Sequence, residues 1–147
     1  MEIIIKKFDE LNIYELHEIY KARIKVFVVE QNCPYQEIDD YDPLSYHVYL
    51  KNEESILAYA RVLPTNTKYK EVSIGRVISL KRREGYGTIV LKECIKVAKE
   101  KFDAKEIKIG AQLYAKSFYE GVGFKQCENE SYLEDGIPHI HMKLVIK

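Results

Sequence analysis

Residues 72–91 read Val-Ser-Ile-Gly-Arg-Val-Ile-Ser-Leu-Lys-Arg-Arg-Glu-Gly-Tyr-Gly-Thr-Ile-Val-Leu, and their order decides the fold. The β-branched content of Glu71–Ser79 predicts a strand. That strand runs into a turn spaced by Gly85 and Gly87. The turn opens onto Ile89, Leu91, Cys94, Ile95, Ala98 and Phe102, which recur at helical spacing. The first turn of a helix has unpaired N–H groups and the positive end of its dipole, and both favour an anion. Gly85 and Gly87 let the backbone approach phosphate oxygens, and Lys81, Arg82 and Arg83 add local positive charge. The pattern points to a phosphate.

Exclusion narrows which phosphate. No lysine follows Gly85 or Gly87 at Walker spacing. A dinucleotide fingerprint needs a third small residue where Val90 stands. What remains is R-x-x-G-x-G, matched by Arg82, Gly85 and Gly87. The competing reading is a glycine turn that merely precedes a helix.

Outward from this unit, Ile3-Ile4-Ile5 reads as a first strand. Asn12 and Glu15 have the spacing of a reciprocal helix cap, followed by the stripe Ile13, Leu16, Tyr20, Ile24 and Phe27. Residues 31–45 hold two prolines and, with Glu30, five acids, and read as a polar loop of solvated or turn-capping carboxylates. Tyr46–Leu50 and Ser55–Leu63 predict a hairpin around residues 51–54. Downstream, Glu106–Ala111 predicts a strand and Ala115–Glu120 a short helix ending at Gly121 or Gly123. Phe124–Cys127 and Ile140–Ile146 should close the sheet. Strands first, then a strand–helix–strand unit, predict an α+β fold. Its sheet should be mixed, largely antiparallel and twisted, with flanking helices and a central β-α-β unit, in one domain over residues 1–147.

Composition limits the partners. Lys+Arg and Asp+Glu balance at 23 each, which gives no overall field to draw nucleic acid or an anionic membrane. The apolar runs are too short to span a bilayer. Cys33, Cys94 and Cys127 are odd in number and widely spaced, which fits a reduced, cytoplasmic setting.

A second segment adds to the first. Ala115-Lys116-Ser117-Phe118-Tyr119-Glu120-Gly121-Val122-Gly123-Phe124 follows the next strand. Together with Arg82–Gly87 it resembles motifs A and B of the GNAT (Gcn5-related) N-acetyltransferase superfamily. The wider chain resembles its ElaA-like subgroup, through Val26–Asp39, Gly110-Ala111-Gln112 and Glu134–His139. The resemblance implies acetyl-CoA as co-substrate, a primary amine as acceptor and direct attack in a ternary complex. A non-catalytic coenzyme A-binding or sensing module of the same fold is the alternative. By position it implies cofactor contacts from Val77, Ile78, Ser79, Arg82, Arg83, Glu84, Gly85, Tyr86, Gly87, Thr88, Phe118 and Tyr119. The lead-in from Val77 to Arg82 is about two residues shorter than in ElaA-like relatives. A homodimer is left open.

Acetyl transfer needs a neutral amine, proximity to the thioester, help for the oxyanion and a proton for the leaving thiolate. The resemblance puts Tyr119 where an acid would protonate the sulfur, and a phenol near pKa ~10 is close to a thiol near ~8.5. Candidate bases are Glu30, Asp39, His47, Glu71, Asp135 and His139. Glu30 and Asp39 come first because they lie in the subgroup-like stretch. His139 and His141, two apart on a strand, should face one side, and without a third ligand they give no metal site. Cys94 falls on the apolar helix face and reads as core.

Overall fold

The computed structural model describes residues 1–147. The chain opens with β1 (Glu2–Lys7), and Asn12 then caps α1 (Ile13–Ile24). Asn12 Oδ1 accepts the Glu15 N–H at 2.8 Å, while the Glu15 carboxylate accepts the Asn12 N–H at 2.9 Å. The reciprocal cap forms with an amide in place of the usual hydroxyl. The buried face of α1 differs from the predicted stripe. Ile19, Ala22 and Arg23 are buried, whereas Ile13 is 76% exposed, because burial begins only after the first turn. Past Ile24 the helix widens into a π-helical stretch, Lys25–Glu30, of the kind that often accompanies function.

β2 (Tyr46–Lys51), β3 (Ile56–Leu63) and β4 (Ser73–Ser79) complete an antiparallel sheet in the order β1-β2-β3-β4. β3 is buried at every position because helices cover both of its faces. On one face, Val90, Leu91, Cys94, Val97 and Ala98 of α2 (Tyr86–Phe102) pack with Val48, Ala58, Ala60 and Val62. On the other, Ile19 and Ala22 of α1 pack with Tyr49, Tyr59 and Ile78. Each Val, Leu or Ile among them contributes about 1.5–3 kcal/mol when fully buried, and each Ala far less.

The second sheet takes its strands from the C-terminal third. β5 (Glu106–Gln112), β8 (Ile137–Val145) and β6 (Lys125–Gln126) lie in that order, with β7 (Tyr132–Glu134) also on β8, and α3 (Lys116–Glu120) lies between β5 and β6. The β7–β8 hairpin turns at Asp135 and Gly136, both left-handed at φ 52° and 77°, which matches strand twist. The strands are mixed and largely antiparallel, as expected, and divide into two antiparallel sheets. They meet in one parallel bridge, Val72 to Ile107, where Lys108 N–H donates to the Val72 carbonyl at 3.0 Å.

The acidic loop departs most from expectation. Glu37 and Asp42 are buried, not solvated, and Asp39 is only 25% exposed. Arg23 holds Glu37 at 3.0 and 3.1 Å and Asp42 at 2.7 and 3.1 Å. Arg61 holds Asp39 at 2.6 and 2.8 Å and Asp42 at 2.9 Å. Arg76 reaches Glu37 at 2.8 Å and Asp39 at 3.3 Å. Three guanidinium groups cancel three carboxylates, which is the condition for burying them. His47 closes the network. Tyr59 O–H donates to its Nδ1 at 2.7 Å, and its Nε2–H donates to the Asp42 carbonyl at 3.0 Å.

Candidate active site

A cavity of about 550 Å³ is lined by β4 from Ser73 to Ser79 and by Gly110 and Gln112 of β5. At one end stands the turn before α2. Arg83 and Gly85 adopt left-handed backbone, φ 67° and 76°, and Gly85 is the cap residue of α2. Ile89 N–H bonds the Gly85 carbonyl at 3.3 Å, so the N–H groups of Tyr86, Gly87 and Thr88 precede the helical ladder. Gly87 is buried against Phe118. A Cβ added there would meet the Phe118 ring at 3.5 Å and Ser79 Cβ at 3.7 Å.

Of the residues expected to touch a cofactor, Val77, Ile78, Ser79, Arg82, Arg83, Gly85, Gly87, Thr88, Phe118 and Tyr119 all line this cavity. Glu84 and Tyr86 do not. Glu84 is exposed, and the Tyr86 side chain packs on the main core, because alternate residues of that turn face opposite ways. The short approach to the loop contains a bulge. Tyr59 pairs with Ile78 but Arg61 with Gly75, so β4 carries one extra residue there, and Arg76 is left-handed at φ 51°. Its guanidinium lies 5.9 Å from the Phe27 ring and 5.8 Å from Tyr35.

Tyr119 projects from α3 between Phe118 and Phe124, both edge-on at 5.1 and 5.9 Å. Its hydroxyl makes no hydrogen bond within the protein. Burial first, then nearby Tyr114 and Cys94, raise its pKa, so it stays a protonated donor across the physiological range. The close match to a thiol expected from the unperturbed phenol is thereby loosened.

The two favoured bases are poorly placed. Glu30 is outside the cavity lining, 41% exposed and 3.8 Å from Arg82. Burial pushes the Asp39 carboxyl up, but Arg61 and Arg76 outweigh it and hold the group at about 2, too weak a base for an amine proton. His47 is locked in the ionic network, and Glu71 is bound to Lys143 at 2.8 Å. Asp135 and His139 line the cavity. His139 is 6% exposed, and its Nδ1 is 2.7 Å from the Ile137 carbonyl. A carbonyl only accepts, so Nδ1 carries a proton and donates it there. The ring's Nε2 is 3.5 Å from Glu134. His139 and His141 do face one side, both stacked on Tyr132 at 5.7 and 4.5 Å.

Among the lining residues that the sequence did not single out as site residues are Arg76, Gln31, Gln112, Lys68, Tyr69 and Glu134. The signal for Glu134 was the Asp135-Gly136 turn, which folds it back against β8 beside His139.

The family model for the acetyltransferase (GNAT) domain matches residues 14–146. The chain belongs to the GNAT acetyltransferase family. A UPF0039 protein of Schizosaccharomyces pombe is 40% identical over 98% of this GNAT chain and 97% of its own. Escherichia coli ElaA is 38% identical over 91% of this chain and 90% of its own, and its crystal structure superposes with a TM-score of 0.89 over 98% and 99% of the two chains. The crystal structure of an acyl-CoA N-acyltransferase from Pseudomonas aeruginosa, 33% identical, also reaches 0.89 over 99% of this chain and all of that one. The GNAT fold and the ElaA likeness expected from the sequence are both present. No helix is long and apolar enough to cross a membrane.

Proposed function

We propose that this GNAT protein transfers an acetyl group from acetyl-CoA to a primary amine by direct attack, with both substrates bound. One observation carries the reading. A single cavity joins the anion-ready turn before α2 to the carboxylate–imidazole pair of Glu134 and His139, with Tyr119 also in its lining.

The residues fit an acyl-CoA. Arg82, Arg83 and the free N–H groups of Tyr86–Thr88 suit a pyrophosphate, and Gly87 leaves no side chain between helix backbone and cavity. Bound there, the cofactor supplies an activated acyl group. The backbone of Val77–Ser79, next to the bulge and lining the cavity, offers N–H groups to the pantetheine arm and the carbonyl oxygen. His139 Nε2 accepts a proton from the attacking amine, and Tyr119 supplies one to the departing sulfur. His139 takes the basic role first given to Glu30 and Asp39.

The test is free thiol release when the protein and acetyl-CoA meet a panel of amines, alongside calorimetry with coenzyme A. Amine-dependent release supports the reading. Tight cofactor binding with no release for any amine would favour the sensing module, and no binding at millimolar cofactor would sink both.

A further inference from the structure

The histidine end of the cavity already contains an ammonium group, and the protein supplies it. Lys68 lines the cavity from the turn between β3 and β4, a turn closed by Asn66 N–H to the Lys70 carbonyl at 3.1 Å. Its Nζ donates to Glu134 Oε1 at 3.2 Å and lies 5.9 Å from the centre of the Tyr69 ring. The other Glu134 oxygen is the one 3.5 Å from His139 Nε2. His139 itself is nine-tenths buried, and its Nε2 faces that carboxylate. A carboxylate and an aromatic face, both of which attract N–H⁺, therefore converge with the imidazole on one corner of the cavity.

We infer that Glu134, Tyr69 and His139 form the acceptor-ammonium subsite, that Lys68 is its built-in occupant, and that the acceptor is an unbranched alkyl primary amine. This rests on the acetyl-transfer reading above. The seated group sets the class, since Lys68 delivers an ammonium on a slim, unbranched methylene stem. Displacing it costs little. Both partners are 34% exposed, and solvent screens ion pairs of that kind. An incoming alkylammonium restores the same charge pairing. In the transfer the acceptor ammonium loses two protons, one to solvent and one to His139 Nε2, as the C–N bond forms. The C–S bond breaks, and the sulfur takes the Tyr119 proton, which solvent replaces.

Full-length wild type, Lys68→Met and Glu134→Gln would be titrated with n-butylammonium by ligand-observed NMR, without cofactor. The same variants would be assayed for thiol release with n-butylamine, a branched amine and an arylamine. Lys68→Met should bind n-butylammonium about fivefold more tightly, the equivalent of losing a competitor worth about 1 kcal/mol, and Glu134→Gln about as much more weakly. KM for n-butylamine should follow, with cofactor affinity unchanged. Equal affinity in all three proteins, or a preference for the branched or aryl amine, would overturn the inference. Failure of the acetyl-transfer reading looks different: n-butylammonium binding still responds to Lys68 and Glu134, but no amine releases thiol.

Discussion

The side-chain amides of Gln31 and Gln112 hydrogen-bond each other in both directions, at 3.2 and 3.3 Å. They join the end of the π-helical stretch to the end of β5, and both line the cavity. The loop of residues 31–45 is thereby fastened to the second sheet, while its ionic network fastens it to α1, β3 and β4.

That pair sets the first expectation. A double-mutant cycle with Gln31→Ala and Gln112→Ala should give a coupling of about 0.5–1.5 kcal/mol in urea unfolding. Strict additivity would mean that the two amides do not act together in solution.

Arg23 sits where a broken charge pair cannot reach water. Arg23→Met removes the partner that Glu37 and Asp42 share and leaves these two fully buried side chains one guanidinium each, Arg76 and Arg61. The expected loss is about 3–5 kcal/mol in chemical denaturation, far beyond that of an exposed pair. A loss under about 1 kcal/mol would show that the carboxylates relax to solvent.

Acid should weaken the fold in two stages. Burial lowers the His47 pKa, so the unfolded chain binds the extra proton first and stability falls as pH drops below about 6.5. Asp39, held at about 2 by Arg61 and Arg76 against the pull of burial, adds stability above the unfolded carboxylate value near ~3.9. That share disappears as pH falls from there to about 2. Urea midpoints followed from pH 8 to pH 2 would show both stages, and Asp39→Asn should shrink the lower one, leaving the part from Glu15 and Glu71, which are also lowered.

At the phosphate end, Gly85→Val places a β-branched residue at φ 76°, and Arg82→Glu reverses a charge that is 79% exposed. Both should weaken coenzyme A binding at least about tenfold by calorimetry, with Arg82→Glu leaving stability within about 0.5 kcal/mol. Near-normal affinity in both would put the phosphates elsewhere.

Tyr119→Phe keeps the ring between Phe118 and Phe124 and removes only the hydroxyl. Turnover should drop about a hundredfold while cofactor affinity stays within about twofold, the split expected of a proton donor. Unchanged turnover would remove it from the chemistry.

Local rules carried the sequence reading a long way. The Asn12–Glu15 cap, the hairpin of β2 and β3, and the passage from β4 through Gly85 into α2 depend on neighbours a few residues apart, and each formed. Carboxylates in a loop are another matter. Nothing within Glu37–Asp42 says that Arg23, Arg61 and Arg76 will arrive from three other elements, so burial there looked like solvation. The same blindness favoured Glu30 and Asp39 over His139, whose pairing with Glu134 exists only after the Asp135–Gly136 turn has folded. Arg76 in left-handed backbone inside a strand had no local signal, because contacts from distant residues hold it there.

The lone bridge between Val72 and Ile107 has a consequence for how the polypeptide could be divided. Residues before Asp103 contain every strand pairing of the first sheet, and those after Ala104 every pairing of the second. The link between them is a short turn through exposed Asp103 and Lys105. A cut there would leave two fragments with intact ladders and complementary apolar faces, Leu91 and Val97 meeting Ile107, Phe124 and Met142. The chain is therefore suited to fragment complementation, in which cavity and activity return only when the halves find each other.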